Sequence, residues 1–171
     1  MKVYFAADHA GFDLKAILIA YVNSLSTAGL PLEAVDCGAF EFDKADDYPD
    51  FIGRAAKLLA ADSAAGIESR AIVIGASGQG EAMAANRFPG VRCALYYGEP
   101  KGTQKDMSGK ELDMLSSTRE HNGANALSLG ARFLSEEEAK NAVKSWLAHP
   151  YPGEDRHARR IQKLDALPGS A

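Results

Sequence analysis

Cysteine and tryptophan are scarce in this 171-residue chain, which holds two of the first, Cys37 and Cys93, and one of the second, Trp146. The two thiols lack the spacing of a zinc knuckle or a redox motif. They argue for free cysteines in a reducing compartment, with a disulfide between them left open. Long apolar runs are absent too: none reaches the roughly 20 residues that span a bilayer, and Met1 to Ala7 lead straight into the polar pair Asp8-His9 with no room for a signal stretch. A cytoplasmic location without membrane contact is the expectation. Nor is there an excess of positive charge, because 19 Lys and Arg face 23 Asp and Glu for a formal charge of -4. That balance argues against a general nucleic-acid surface, although charge can still gather locally, as it does near the C-terminus.

What is present suits a soluble globular protein. Hydrophobic residues at 46% are enough for a core without disulfides or structural metal, so one domain over residues 1–171 is expected, fraying from about residue 165. Strand candidates fall at Val3–Ala7, Leu32–Cys37, Ala71–Ile74, Val91–Tyr96 and Ala126–Leu129. Between them lie helical stripes. Leu14, Ile17, Leu18, Tyr21, Val22 and Leu25 share one face before Gly29-Leu30-Pro31, and a second helix starts at Tyr48-Pro49-Asp50 after an acidic loop from Glu41 to Asp47. The polar segment Gly98 to Ser108 reads as an irregular excursion, followed by a helix over about 110–120 and a loop from His121 to Asn125. Ser135 with Glu136, Glu137 and Glu138 opens a strongly amphipathic helix, and Asp155 opens a last one. Strands alternating with helices predict an α/β, three-layer Rossmann-like fold: a five-stranded parallel sheet, helices on both faces and a C-terminal helix.

Ligands in such folds bind outside the carboxyl ends of strands. Two polar features lie there: Asp8-His9 after the first strand, and Gly75-Ala76-Ser77-Gly78-Gln79-Gly80-Glu81 after the third. The glycine loop is a weak dinucleotide fingerprint, since it does not follow the first strand, and it lacks the Gly-Lys-Ser/Thr ending of a phosphate-binding P-loop. Its backbone N–H groups suit a smaller anion or a developing oxyanion. Glu81 reads either as favourable charge in a first helical turn or as a general base. By themselves Asp8-His9 read first as a helix cap and His121 as a surface histidine. Arg156 and Arg160, four apart on a helix, are able to grip one phosphate, or form an ordinary solvated face. No His, Cys and carboxylate set has convincing metal spacing in the sequence.

Together, Ala7-Asp8-His9-Ala10-Gly11-Phe12, Asp47-Tyr48-Pro49-Asp50, the glycine loop with Ala84-Ala85-Asn86-Arg87, Arg119-Glu120-His121-Asn122 with Asn125, and Arg156-His157 with Arg160 resemble the type B ribose-5-phosphate isomerases, grouped with the galactose-6-phosphate isomerase subunits. The resemblance implies aldose-ketose isomerisation of ribose 5-phosphate and ribulose 5-phosphate through a cis-enediolate, without metal or organic cofactor. In that family the base is a cysteine in the slot of Gly75 or a glutamate in the slot of Glu81, so this chain resembles the glutamate branch. Neither cysteine is then catalytic. The same matching gives ring opening to Asp8 and His121, the anion hole to Ser77 and the Gly75, Ala76, Gly78 and Gly80 backbone, and a sugar contact to Asn122. It gives the phosphate to His9, Arg132, Arg156 and Arg160, with His157 shaping that side. It also implies a homodimer with shared sites, in which His121, Asn122 and Arg132 come from the partner. The long segment Gly98 to Leu115 leaves a galactose, allose or tetrose phosphate open as substrate, and a non-catalytic sugar-phosphate-binding module is the reading from another class.

Overall fold

The computed structural model describes residues 1–27, 31–105 and 109–167. Gly29-Leu30, residues 106–108 of the Gly98 to Ser108 segment and Pro168-Gly169 lie outside them. Five parallel strands form the main sheet: β1 (Lys2–Ala7), β2 (Glu33–Asp36), β3 (Ser69–Gly75), β4 (Cys93–Tyr96) and, late in the chain, β7 (Ala126–Gly130), in the order β2-β1-β3-β7-β4. The short pair β5 (Gln104–Lys105) and β6 (Glu111–Leu112) makes a separate antiparallel ribbon. Among the described residues there are six helices: α1 (Phe12–Thr27), α2 (Tyr48–Ala64), α3 (Gln79–Ala85), α4 (Met114–Asn122), α5 (Glu136–Ala148) and α6 (Asp155–Asp165). The arrangement is the Rossmann-like one expected.

β3 is buried along its whole length because helices cover both faces of the parallel sheet. Alternate side chains serve different cores. Ile72 and Ile74 join Val3, Phe5, Leu18, Val22 and Trp146 on one side, whereas Ala71 and Val73 join Tyr4, Ala6, Ile52 and Leu59 on the other. Truncating a side chain such as Ile72 to alanine would cost about 2–5 kcal/mol. The chain turns one way from β1 to β2 and the other way from β3 onward, so the crevice for a ligand opens between the carboxyl ends of β1 and β3. In that register Ala7 sits beside Ile74.

Two boundaries differ from the sequence expectation in ways that matter. The strand expected from Val91 begins at Cys93, because Val91 closes a turn onto the Phe88 carbonyl and Arg92 N–H donates to the Asn125 side chain. The helix expected over 110–120 runs over Met114–Asn122 instead. Glu111 and Leu112 pair with the ribbon, and Asp113 caps the helix by accepting from Ser116 N–H at 2.6 Å. His121 and Asn122 therefore belong to a helical last turn, not to a loop, and Gly123 ends it in the left-handed conformation with φ 52°. The Ser135 expectation holds: Ser135 Oγ accepts from Glu138 N–H, and Glu138 Oε2 accepts from Ser135 N–H at 2.8 Å, a full capping box.

Candidate active site

Because Ala7 and Ile74 are neighbours, the polar residues that follow them converge over one edge of the sheet. The loop after β3 is held from below. Carbonyls of Gly75 and Ala76 accept from the N–H groups of Ala131 and Arg132, and the Gly78 carbonyl accepts from Ser128 Oγ at 2.6 Å. Gly78 takes a φ of 74°, which glycine adopts without steric cost, and so turns the chain into α3. The ring of Tyr48 lies against Gly80, where a Cβ would come within 2.8 Å of it. This brings Asp47-Tyr48-Pro49-Asp50 up to the loop.

Glu81 then folds back from the first turn of α3. Its residue is 4% exposed. A Cβ built on Gly75 would land on the Glu81 carboxylate, so the bare glycine is what admits that side chain. The two base positions of the resemblance are thus mutually exclusive in space: a side chain at 75 and the present Glu81 rotamer claim one volume. Burial raises the Glu81 pKa above the ordinary carboxyl value and the charge of Asp8 raises it further, against a hydrogen bond from its own backbone. A carboxylate so placed is a strong base for its surroundings. Burial pushes the Cys37 thiol up to about 11 and the Cys93 thiol up to about 12, with Asp36 and Glu81 respectively adding to the effect, so both stay protonated.

Asp8 is also buried, and its Oδ1 accepts from Ala10 N–H at 3.0 Å and Gly11 N–H at 3.3 Å. It is therefore a turn cap, as its position first indicates, and at the same time a neighbour of Glu81. His9 Nδ1 lies 2.7 Å from Asp46 Oδ1 and 4.0 Å from Asp8. The hydrogen bond to Asp46 raises the His9 pKa; burial and Arg132 oppose it, while Asp8 and the Asp46 charge assist. Asp46 carries no motif of its own in the sequence, and only the fold brings it here. Asp8, His9 and Asp46 each offer one donor atom, all within 4.8 Å of one another, a metal-like spacing that positions 8, 9 and 46 do not reveal. The close His9–Asp46 hydrogen bond already occupies two of those atoms.

Arg132 corrects an expectation. It belongs with His9 and the loop of its own chain, because β7 ends at Gly130 in register with Gly75 and the next residues cross the same edge. His121 and Asn122 do not. They end α4, just before β7 begins, at the opposite edge of the sheet. The five residues of β7 put about 17 Å between the two edges at roughly 3.3 Å per residue. There the His121 ring stacks on the His157 ring, with centroids 4.6 Å apart and planes at 14°. Both line a cavity of about 600 Å³ with Asn122, Arg160 and, from the ribbon side, Gln104 and Leu112. Burial lowers the His157 pKa, helped by Arg156, His121 and Arg160, so the ring is neutral at pH 7. Arg156 is exposed and donates to Glu154 Oε2 at 3.0 Å. Within one chain, then, Glu81, Asp8, His9, Ser77 and Arg132 form one group, and His121, Asn122, His157 and Arg160 another.

Comparison with known proteins agrees with this arrangement of elements. Residues 3–164 match the family model described as Ribose/Galactose Isomerase. The chain is 37% identical to ribose-5-phosphate isomerase B of Mycolicibacterium paratuberculosis, over 96% of this chain and 89% of that protein. To ribose-5-phosphate isomerase B of Escherichia coli it is 31% identical over 97% and 95%. Among solved structures, type B ribose 5-phosphate isomerase from Trypanosoma cruzi superposes with a TM-score of 0.78 at 32% identity, covering 97% of both chains. The Mycoplasma genitalium enzyme, determined with ribulose-5-phosphate bound, gives 0.77 at 31% identity over 95% of this chain and 93% of that one. The chain belongs to the ribose/galactose isomerase family.

Proposed function

We propose that the protein interconverts ribose 5-phosphate and ribulose 5-phosphate, with Glu81 carrying the proton between C2 and C1. The observation that bears this reading is the buried Glu81 carboxylate seated on Gly75, its basicity raised by burial and by Asp8. The named relatives are ribose-5-phosphate isomerases, and one of them was determined with the product ketose. Glu81 takes the C2 proton of the open aldose while the aldehyde oxygen gains the negative charge. The N–H groups of residues 76–80 and Ser77 Oγ then stabilise that charge. The O2 hydroxyl proton passes to O1 within the cis-enediolate, and returning the carbon-bound proton to C1 leaves the carbonyl at C2 and a hydroxyl at C1. Asp8 and His121 exchange protons with the ring oxygen and the anomeric hydroxyl during opening, Asn122 binds the sugar, and His9, Arg132, Arg156 and Arg160 hold the phosphate, with His157 walling the pocket. The scheme uses neither metal nor organic cofactor.

One chain does not assemble this set, since the two groups lie about 17 Å apart across the sheet. The reading therefore requires a homodimer in which the Glu81 group of one subunit faces the His121 group of the other. Exposed Leu164 and Leu167, at 51% and 55%, lie on and just beyond α6 beside that second group and offer apolar surface for such a contact. We place the enzyme in the cytoplasm as one domain, in keeping with the absence, among the described residues, of a helix long and apolar enough to cross a membrane. The decisive assay is turnover of ribose 5-phosphate by Glu81→Gln: a fall of about 10²–10⁴ is expected from loss of the base, and near wild-type turnover would refute the assignment. A neighbouring reading changes the sugar alone. It is favoured by Gln104 and Leu112, which the long segment adds to the cavity beside His121 and Arg160. The ratio of kcat/KM values over tetrose, pentose and hexose phosphates decides it.

A further inference from the structure

We propose that Asp46 is a positioning residue for phosphate recognition, holding the imidazole of His9 through Nδ1 so that its Nε2–H is aimed at the substrate phosphate. The inference rests on the isomerase reading above and adds a residue to it. Asp46 reaches this place from the acidic loop between β2 and α2. A tight turn delivers it: Asp43 Oδ1 accepts from Ala45 N–H at 2.9 Å, and the Asp43 carbonyl accepts from Asp46 N–H at 3.0 Å.

A single oxygen, Asp46 Oδ1, then contacts His9 twice, taking the backbone N–H at 3.1 Å and the ring nitrogen Nδ1 at 2.7 Å. Two contacts on one residue fix both the backbone and the ring plane. With Nδ1 committed as a donor, the imidazole presents Nε2 outward, and in the protonated ring that nitrogen is a donor as well. The Asp46 side chain is 7% exposed while the His9 side chain is 30% exposed, so the support is buried and the working edge is open. The charged groups facing the ring are Asp46 and Asp8, which favour its proton, and Arg132, which opposes it. Arg132 and a cationic His9 side by side would repel one another without the two carboxylates. A dianionic phosphate is the ligand that such a paired cation edge fits.

In physical terms Asp46 does for His9 what second-layer carboxylates do for metal-bound histidines: it sets the tautomer and the ring orientation. A metal between Asp8, His9 and Asp46 is a different use of the same atoms, and it would forbid the Nδ1–H donor.

The test is steady-state kinetics on ribose 5-phosphate with Asp46→Ala, Asp46→Asn, His9→Ala and the double variant His9→Ala/Asp46→Ala, alongside NMR titration of the His9 ring. Asp46→Ala should raise KM about tenfold, the scale of one charge-assisted hydrogen bond, with kcat changed less than about twofold. Asp46→Asn keeps an acceptor for Nδ1 and should recover part of the KM. Its His9 ring should titrate at lower pH than in the wild type, moving toward the ordinary value of about 6.5, so KM should begin to rise at a lower pH. The double variant should match His9→Ala, because Asp46 has nothing left to position. An unchanged KM in Asp46→Ala, an added loss in the double variant, or an unmoved ring titration in Asp46→Asn would each overturn the inference. Loss of wild-type turnover on chelation, restored by a divalent ion, would overturn it in favour of a metal. If the wild type turned over no ribose 5-phosphate, the isomerase reading would fall, while the ring titration would still decide whether Asp46 controls His9.

Discussion

The two edges of one sheet treat buried charge in opposite ways. At the amino edge Arg70 and Arg119 are 3% and 6% exposed, and both are spent mainly on carbonyls: Arg70 donates to Trp146, Leu147 and His149 oxygens and, at 3.4 Å, to Glu68 Oε1, Arg119 to Ala124 and His149 oxygens. Burial lowers both pKa values, Arg119 to about 10, yet the donors are used where α5 ends. At the carboxyl edge Glu81 is as deeply buried, but among the described residues its help comes from its own backbone, while Asp8 pushes its pKa further up. Charge that closes a helix end is structural; charge kept buried and under-supported is available for chemistry. The same sheet thus carries a stabilising edge and, on the proposed isomerase reading, a reactive one.

The sharpest way to break this contrast is to remove the Glu81 charge. Glu81→Gln should lose turnover as above and gain thermal stability at neutral pH. The sign follows from linkage: a carboxyl whose folded pKa lies above its unfolded value costs stability once pH exceeds the unfolded range. The stability gap between variant and wild type should therefore close below about pH 4. Thermal unfolding across pH measures it, and a variant less stable than the wild type at pH 7 would contradict the contrast. Next in size is Gly75→Ala. The added Cβ displaces the Glu81 carboxylate, and a misplacement of about 1 Å is enough for a loss of about 10² in kcat. Unchanged kcat would show that the carboxylate has another seat.

Arg70→Met tests the other edge. Leaving carbonyls of α5 without their donor should cost about 3 kcal/mol, read as a lower denaturation midpoint, while the folded fraction keeps its turnover number. The smallest effect is expected at Ser135→Ala, where loss of the capping box should lower stability by about 1 kcal/mol without touching activity.

Much of this was legible before any fold was known, and the reason is local physics. Glycine spacing after Ile74, the Ser135 to Glu138 pattern and the apolar stripes are short-range signals, and the observed elements follow them. The carboxyl edge was also within reach, since strand ends and polar residues coincide in sequence. What stayed hidden depends on who neighbours whom. Asp46 is 37 positions from His9 and lies in an unpatterned acidic loop, so nothing local marks it. Arg132 joins His9 because β7 pairs with β3, a choice made by sheet order. His121 shifted from loop to helix end because residues 111–112 pair with β5 and move the start of α4 to Met114.

On the proposed reading, an active site exists only where the carboxyl edge of one chain meets the His121 group of a second. Mixing subunits tests it most directly: Glu81→Gln protein, which lacks the base, and Arg160→Ala protein, which lacks a phosphate contact, are co-expressed, or unfolded and refolded together, and assayed at ribose 5-phosphate well below the KM of the second, where both parents are inactive. Random pairing makes half of the dimers mixed, each with one intact site and one doubly altered site, so activity should return to about one quarter of the wild-type level. Mixtures that remain as inactive as the two parents, with mixed dimers shown to form, would contradict the claim.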